Sequence, residues 1–387
     1  MDNKVYIIEC TDYDEIEAKL EQLLTLMGGI ENFMKSGERI VLKPNLLAAA
    51  EPERAVTTHP ALVAAMAKMT AAAGVKAILA DSPGSGYGYN TKMLERVYRA
   101  CGMQQIANNG HIELNFDTSH EAIFCPDAEL IKRFEIITPI LKADAVINLC
   151  KLKTHSFMGM TGAIKNSFGV IPGLSKPGYH AKLHDSAGFA DMLLDLSNYV
   201  APRISIMDAV IAHEGDGPSA GTPRQVGYLI GATNPLALDV VAGEIMGIPA
   251  EKNPVLCAAK KRDLQPCHID DIELIGADKA ALRVADFKLP ATIYGKSGFG
   301  LLTSLWMKPI LNLLKSGTTL KPRINRGKCI ACGICRDACP VNTISIIEKR
   351  HARINYQNCI RCYCCHEMCP ENAIALKPSL LYRILYR

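Results

Sequence analysis

Nine of the fifteen cysteines fall between residues 329 and 369. They form two runs thirty residues apart, Cys329, Cys332, Cys335, Cys339-Pro340 and Cys359, Cys362, Cys365, Cys369-Pro370. This is the spacing of bacterial [4Fe–4S] ligation, in which three close thiolates hold one cubane and the fourth reaches across to the other. A zinc site would ask for two separated ligand pairs, and a disulfide framework would imply secretion, so neither fits. The ninth thiol, Cys364, is out of register and reads as a bystander.

The repeat extends beyond the thiols: "INRGKCI" echoes "INYQNCI", and "CPVNTISI" echoes "CPENAIAL". Each half predicts a short strand, a cluster loop, one helical turn and a second strand, and the whole resembles the two-cluster bacterial ferredoxin module. That resemblance implies one cluster on Cys329, Cys332, Cys335 and Cys369, and a second on Cys359, Cys362, Cys365 and Cys339. Residues 321–377 carry ten Lys/Arg against four Asp/Glu. Two thiolate-bound cubanes, each about −2, would lower that excess to about +2, so the basic character compensates cluster charge and gives no reason to expect nucleic acid.

A second constellation of reactive side chains follows predicted strands in the first 240 residues. It comprises Lys43-Pro44-Asn45, Asp81-Ser82-Pro83-Gly84, Lys151 to His155 with Lys165 and Asn166, and "HEGDGP" with Glu214, Gly215 and Gly217. Lysines at such places hold carboxylate or phosphate, and glycine turns bring backbone N–H groups to an anion. His155 is a candidate for proton transfer, with Glu214 or Asp239 to orient it or act with it. Asp239 lies in an apolar helix, a costly position for a carboxylate without partners. Each residue also has a structural reading, because polar groups at strand ends need partners whether or not a ligand binds. His59, His155, His180, His184 and His213 are available metal ligands, though only His180 and His184 have i, i+4 spacing. "GSGYGYN" has neither dinucleotide-binding nor P-loop spacing.

The elements that must position these groups are legible as alternation. "VYIIEC", "RIVLKPN", "KAILADS", "ADAVINLC", "RISIMDAV" and "GYLIGAT" read as strands, interleaved with amphipathic or buried helices such as "NPLALDVVAGEIMG", with Asn234 as N-cap and Pro235 at the first helical position. The fold class is α/β, a mostly parallel sheet with flanking helices, plus a small α+β double-cubane domain. In such a sheet, strand ends converge on one edge where ligands bind, which makes the four polar motifs one site. The expected division is an α/β domain over 1–290, a linker and docking helix over 291–320, the ferredoxin domain over 321–377 and a tail over 378–387. The apolar stretch 298–315 is broken by Lys308 and Pro309, so no membrane span is expected, and the N-terminus has no signal-peptide pattern, which makes the cytoplasm the expected compartment.

Five motifs in order, "VLKPNLL", "AVTTHPALV", "ILADSPG", "KLKTHSFMGMTGAIKNSFGVIPG" and "HEGDGPSAGTP", resemble the domain-of-unknown-function 362 family over roughly residues 4–250. The layout is also similar to the N-terminal domain of nickel-pincer lactate racemases, a likeness of fold that transfers no residue role. The resulting expectation is an iron–sulfur redox enzyme that moves single electrons between two [4Fe–4S] clusters and an anionic substrate, or a redox protein partner, at the strand-end site. A ferredoxin-type carrier or adaptor, and a protein that handles a metallocofactor, are the alternatives, and a further cofactor in the α/β domain is left open.

Overall fold

A computed structural model describes residues 2–183, 185–296 and 320–378. His184, the apolar stretch 298–315 and the tail from residue 379 lie outside the described residues. Among the described residues eleven strands precede the cysteine-rich part: β1 (Lys4–Glu9), β2 (Arg39–Pro44), β3 (Lys76–Leu79), β4 (Glu113–Leu114), β5 (His120–Phe124), β6 (Arg133–Ile137), β7 (Ala145–His155), β8 (Gly159–Met160), β9 (Ile204–Glu214), β10 (Thr222–Ala232) and β11 (Glu273–Ile275). The main sheet runs β11-β1-β10-β9-β7-β2-β3-β4, with β8 on the end of β7 and a separate β5–β6 hairpin. Pairs β9–β7, β7–β2, β2–β3, β3–β4 and β1–β11 are parallel, whereas β10 is antiparallel to both β9 and β1. The fold is thus α/β with a mostly parallel sheet.

Helices cover both faces, as a buried parallel sheet requires. Helices Ile16–Leu26, Pro60–Ala72 and Thr91–Ala100 contribute Leu23, Met66 and Val97 to one core, while Ser186–Val200, Pro235–Met246 and Pro254–Lys261 contribute Leu193, Val241 and Ala259 to the other. The pleat of β7 shows how one strand serves both layers: Ile147 and Leu149 belong to the first core, Val146 and Leu152 to the second. Asn234 caps its helix by accepting from Leu236 N at 3.0 Å, as its position before Pro235 predicts.

The strand "ADAVINLC" does not end at Cys150. It continues through Lys-Leu-Lys-Thr-His, and all eleven residues of β7 are buried. Lys151 is paired across the sheet with Asp208 of β9, whereas Lys153, in register with His213, donates instead to Asn45 and the Val56 carbonyl. Interior charge that finds a partner on the next strand keeps a polar sequence in a central position.

Residues 320–378 form a small α+β unit. Strands β12 (Lys321–Ile324) and β15 (Ile374–Lys377) pair antiparallel, as do β13 (Ile344–Ile347) and β14 (His351–Ile354), and each half carries a single helical turn, Ile334–Asp337 and Cys364–Glu367. These turns dock on the α/β part, where Ala338, Cys362, Cys364 and Met368 pack with Tyr87, Leu47 and Ala48. Among the described residues no helix is long and apolar enough to cross a membrane.

Candidate functional site

Between strands β2 and β7 the chain order reverses, with β3 and β4 on one side and β9 on the other. The carboxyl ends of β2, β3 and β7 therefore frame a crevice, the place where open α/β sheets bind ligands. A cavity of about 50 Å³ lies there. Its walls include Asn45, Asp81, Ser82, Gly84, Lys153, His155, Lys165 and Asn166 from the predicted motifs, and Glu367 and Met368 from the cysteine-rich unit. The site is thus shared between the two parts of the chain.

A directional set of hydrogen bonds fixes the cations. Lys153 Nζ donates to Asn45 Oδ1 at 2.8 Å and to the Val56 carbonyl at 2.7 Å. Asn45 Nδ2 donates to Asn166 Oδ1 at 2.8 Å, Asn166 Nδ2 to Asn148 Oδ1 at 2.7 Å, and Asn148 Nδ2 to Ser205 Oγ at 3.1 Å. With every amide oriented by the next, Lys153 cannot swing away without breaking the network. Lys43 is paired with Asp81 at 2.7 Å, and Asp81 also accepts from Leu46 N at 2.8 Å. Gly169 packs so closely that an added Cβ would lie 1.9 Å from Asp81 Oδ1 and 2.5 Å from Lys43 Nζ. Lys176, which the motifs did not single out, donates to the Ser82 and Pro83 carbonyls at 2.6 Å each and lines the same cavity.

The electrostatics are dominated by burial. Burial, then Lys165 and Lys151, holds Lys153 well below the usual lysine range. Lys165 is also lowered by burial, against the opposing pull of Glu367, and Lys176 is lowered by burial to about 7. On Glu367 burial acts in the other direction and raises the carboxyl to about 7. Lys165 Nζ sits 5.8 Å above the Phe168 ring and hydrogen-bonds to no protein atom among the described residues. Among the described residues the cavity wall carries three lysines, Lys153, Lys165 and Lys176, and two carboxylates, Asp81 and Glu367.

His155 is held in one tautomer. Its Nδ1 accepts from Phe157 N at 3.1 Å and Met158 N at 3.3 Å, so the hydrogen resides on Nε2, which lies 3.5 Å from Glu367 Oε1. Burial, with Lys165 and Lys153 nearby, keeps the ring neutral. Among the described residues, four buried polar atoms lining the cavity find no hydrogen-bond partner: Ser82 Oγ, Thr161 Oγ1, His180 Nδ1 and Glu367 Oε1. These atoms are free to hydrogen-bond to water or to a ligand in the cavity.

Other predicted residues lie elsewhere. Lys151 is buried against Asp208 at 2.7 Å and Tyr13 Oη at 3.1 Å, outside the cavity wall. Glu214 accepts from Lys288 N at 2.9 Å, and Asp239 accepts from Ala163 N and Ile164 N at 2.5 and 3.1 Å, so neither meets His155. Asp239 anchors the start of the helix Gly162–Asn166, which delivers Lys165 and Asn166 to the cavity. Gly215 and Gly217 shape the loop behind it; a Cβ on Gly217 would meet the Thr154 carbonyl at 2.1 Å, and only the next residue, Pro218, reaches the wall. His59 stacks on Tyr13 with ring centroids 3.5 Å apart, and His213 is buried near Lys153. Among the described residues no three His, Cys, Asp or Glu side chains converge on a single metal ion.

The cysteines gather into two further cavities. One is lined by Cys329, Cys332, Cys335 and Cys369, the other by Cys339, Cys359, Cys362 and Cys365. Each mixes the two runs as the spacing requires, and thiolates spread around a space of this kind suit a cubane, not a lone ion. The loops carry alternating left-handed residues, Ala331 and Gly333 in the first and Arg361 and Tyr363 in the second, a geometry that turns backbone N–H groups inward as an anion nest. Backbone N–H groups of Ala352, Thr343 and Ala373 also point at Cys329, Cys339 and Cys369 sulfurs, at 3.4, 3.4 and 3.2 Å. The donor set fits iron–sulfur binding.

Comparison with known proteins agrees with both parts. Residues 40–244 match the family described as a domain of unknown function, DUF362, and residues 321–370 match the 4Fe-4S dicluster domain. The thylakoid-associated protein sll1697 of Synechocystis sp. is 35% identical over 256 residues, covering 64% of this chain and 75% of that protein. The lactate racemase apoprotein from Thermoanaerobacterium thermosaccharolyticum aligns with a TM-score of 0.42 at 13% identity, over 63% of this chain and 57% of that one. With over half its length matched, this chain belongs to the DUF362 family and bears a 4Fe-4S dicluster domain near its C-terminus.

Proposed function

We propose that the chain is a cytoplasmic iron–sulfur oxidoreductase that passes single electrons between two [4Fe–4S] clusters and a small anion held in the cavity at the strand ends. The α/β domain (1–290) provides the anion site, 291–320 links it to the cluster domain (321–377), and 378–387 is a tail. The observation that carries this reading is the shared cavity: the helical turn Cys364–Glu367 contains the cluster cysteine Cys365 and also supplies Glu367 to the wall opposite Lys153 and Lys165. Bound at the two cysteine sets, the clusters would supply one-electron reduction or oxidation beside the anion.

Lys153 and Lys165 hold the anion, the former from a fixed position and the latter with its donors uncommitted. His155 offers its Nε2–H as a fixed hydrogen-bond donor. The proton-carrier role expected from its residue type is less suited to this geometry, because Nδ1 is already engaged by two backbone N–H groups. Fifteen cysteines with no disulfide among them accord with a reducing compartment.

The test is a metal, labile-sulfide and cofactor inventory of anaerobically purified protein, followed by redox titration of the clusters with and without small anions. About eight irons per chain are expected, with a midpoint potential that shifts on anion addition and no longer shifts in a Lys153→Ala, His155→Ala variant. An unshifted potential with every anion would refute electron delivery to the cavity. A third metal or a flavin would instead indicate a separate redox centre or metallocofactor handling.

A further inference from the structure

The cavity is small, and its walls are of two kinds. A cavity of about 50 Å³ has room for only a few water-sized groups and so suits a small ligand. One part of the wall offers the Ser82 and Thr161 hydroxyls, which have no partner among the described residues, together with Lys165 Nζ and the His155 Nε2–H, the last facing Glu367 Oε1 at 3.5 Å. Another part is apolar, formed by Leu47, Phe168 and Met368. Ser82 and Thr161 are 2% and 4% exposed, so their orphaned oxygens cannot turn to bulk water. A ligand that satisfies both walls is a monoanion with oxygens at one end and carbon at the other.

Resting on the reading of this cavity as the reaction site, we infer that its ligand is a one- or two-carbon monocarboxylate, with the carboxylate on Lys165, Ser82 and Thr161 and the carbon end against Leu47, Phe168 and Met368. A carboxylate accepts up to about four hydrogen bonds, which matches the uncommitted donors. Inorganic oxoanions such as nitrate satisfy the donors but leave the apolar wall without a partner. Phosphate likewise lacks a carbon end, and butyrate would bring two further methylenes to a small site.

The test is isothermal titration of the full-length, cluster-loaded, oxidised protein with sodium formate, acetate, butyrate, nitrate and phosphate. Acetate or formate should bind one per chain, at least tenfold more tightly than butyrate, phosphate or nitrate. Lys165→Met should weaken acetate at least tenfold, while Lys288→Met, on the surface beside Glu214, should not. If Lys165→Met loses iron or melts early, Ser82→Ala and Thr161→Ala replace it, with several-fold weakening expected from each.

Equal or tighter binding of phosphate, butyrate or nitrate, affinity that survives these substitutions, or absence of binding by every anion would overturn the assignment. Acetate binding that leaves the cluster potentials unchanged supports this inference and refutes electron delivery, so the two readings fail separately.

Discussion

The buried pair Lys151–Asp208 offers the sharpest test of how this sheet tolerates charge. Nζ and Oδ2 are 2.7 Å apart, and the side chains are 1% and 0% exposed. At an effective dielectric of about 20, a pair at that distance gains on the order of 6 kcal/mol before the cost of removing both ions from water. Asp208 also accepts from Tyr13 Oη at 2.8 Å and His59 N at 2.9 Å, so it keeps two neutral donors if the lysine is removed, whereas Lys151 keeps only the Tyr13 oxygen if the carboxylate is removed. Breaking one side of a buried pair costs about 3–5 kcal/mol. Lys151→Met is therefore expected near the lower end and Asp208→Asn near the upper. The double variant removes both charges and retains an acceptor, and should lose less than about 2 kcal/mol. The cycle would then show coupling of at least about 6 kcal/mol, measured as shifts of the denaturant midpoint by far-UV circular dichroism at constant slope. Single losses that add to the double within about 0.5 kcal/mol would refute a mutually dependent pair. Acetate affinity should be unchanged in the double variant, since Lys151 lies outside the cavity wall.

Burial raises the Asp239 carboxyl to about 7 from an ordinary value near 3.8. Its folded pKa is above its unfolded one, so the stability it contributes is complete below about pH 3.8 and is lost as pH rises through 7, an amplitude of order 4 kcal/mol; Asp239→Asn should flatten the denaturation midpoint across that window. Cys339→Ser should lower bound iron from about eight toward about four, whereas Cys364→Ser, outside both cysteine sets, should retain the full count by iron and sulfide assay. A Cβ at Gly84 would meet Met368 Sδ at 2.8 Å and the Leu47 carbonyl at 3.0 Å, so Gly84→Val should wedge the cluster domain from the sheet and speed its limited proteolysis, with unaltered proteolysis counting against the docked arrangement.

Much of this architecture was legible because it depends on local signals. Alternating strands and helices, caps such as Asn234 and the doubled cysteine spacing all act within a few residues of themselves. The end of β7 was not legible. Lys151, Lys153 and His155 read as the start of a loop because their partners, Asp208, Asn45 and Glu367, are distant in sequence. Glu214 and Asp239 looked like companions of His155 by residue type, but backbone N–H groups claim them first. Glu367 and Met368 were hidden for the opposite reason: they sit between cluster cysteines, and only docking reveals that they face another domain. Lys176 carries no motif, and its role emerges only where Ser82 and Pro83 turn their carbonyls toward it.

The turn Cys364–Glu367 contains Cys365 of one cysteine set and is followed by Cys369 of the other, while Ser219 from the α/β domain donates to the Glu367 carbonyl. Chain that is ordered by metal binding is commonly unfolded without it. If the two cysteine sets hold clusters as proposed, the wall that completes the cavity depends on iron delivery, and a polypeptide that has not yet received its clusters lacks a finished pocket. Competence for ligand would then be acquired at maturation, which makes iron supply a quality-control gate on this protein without any separate regulator.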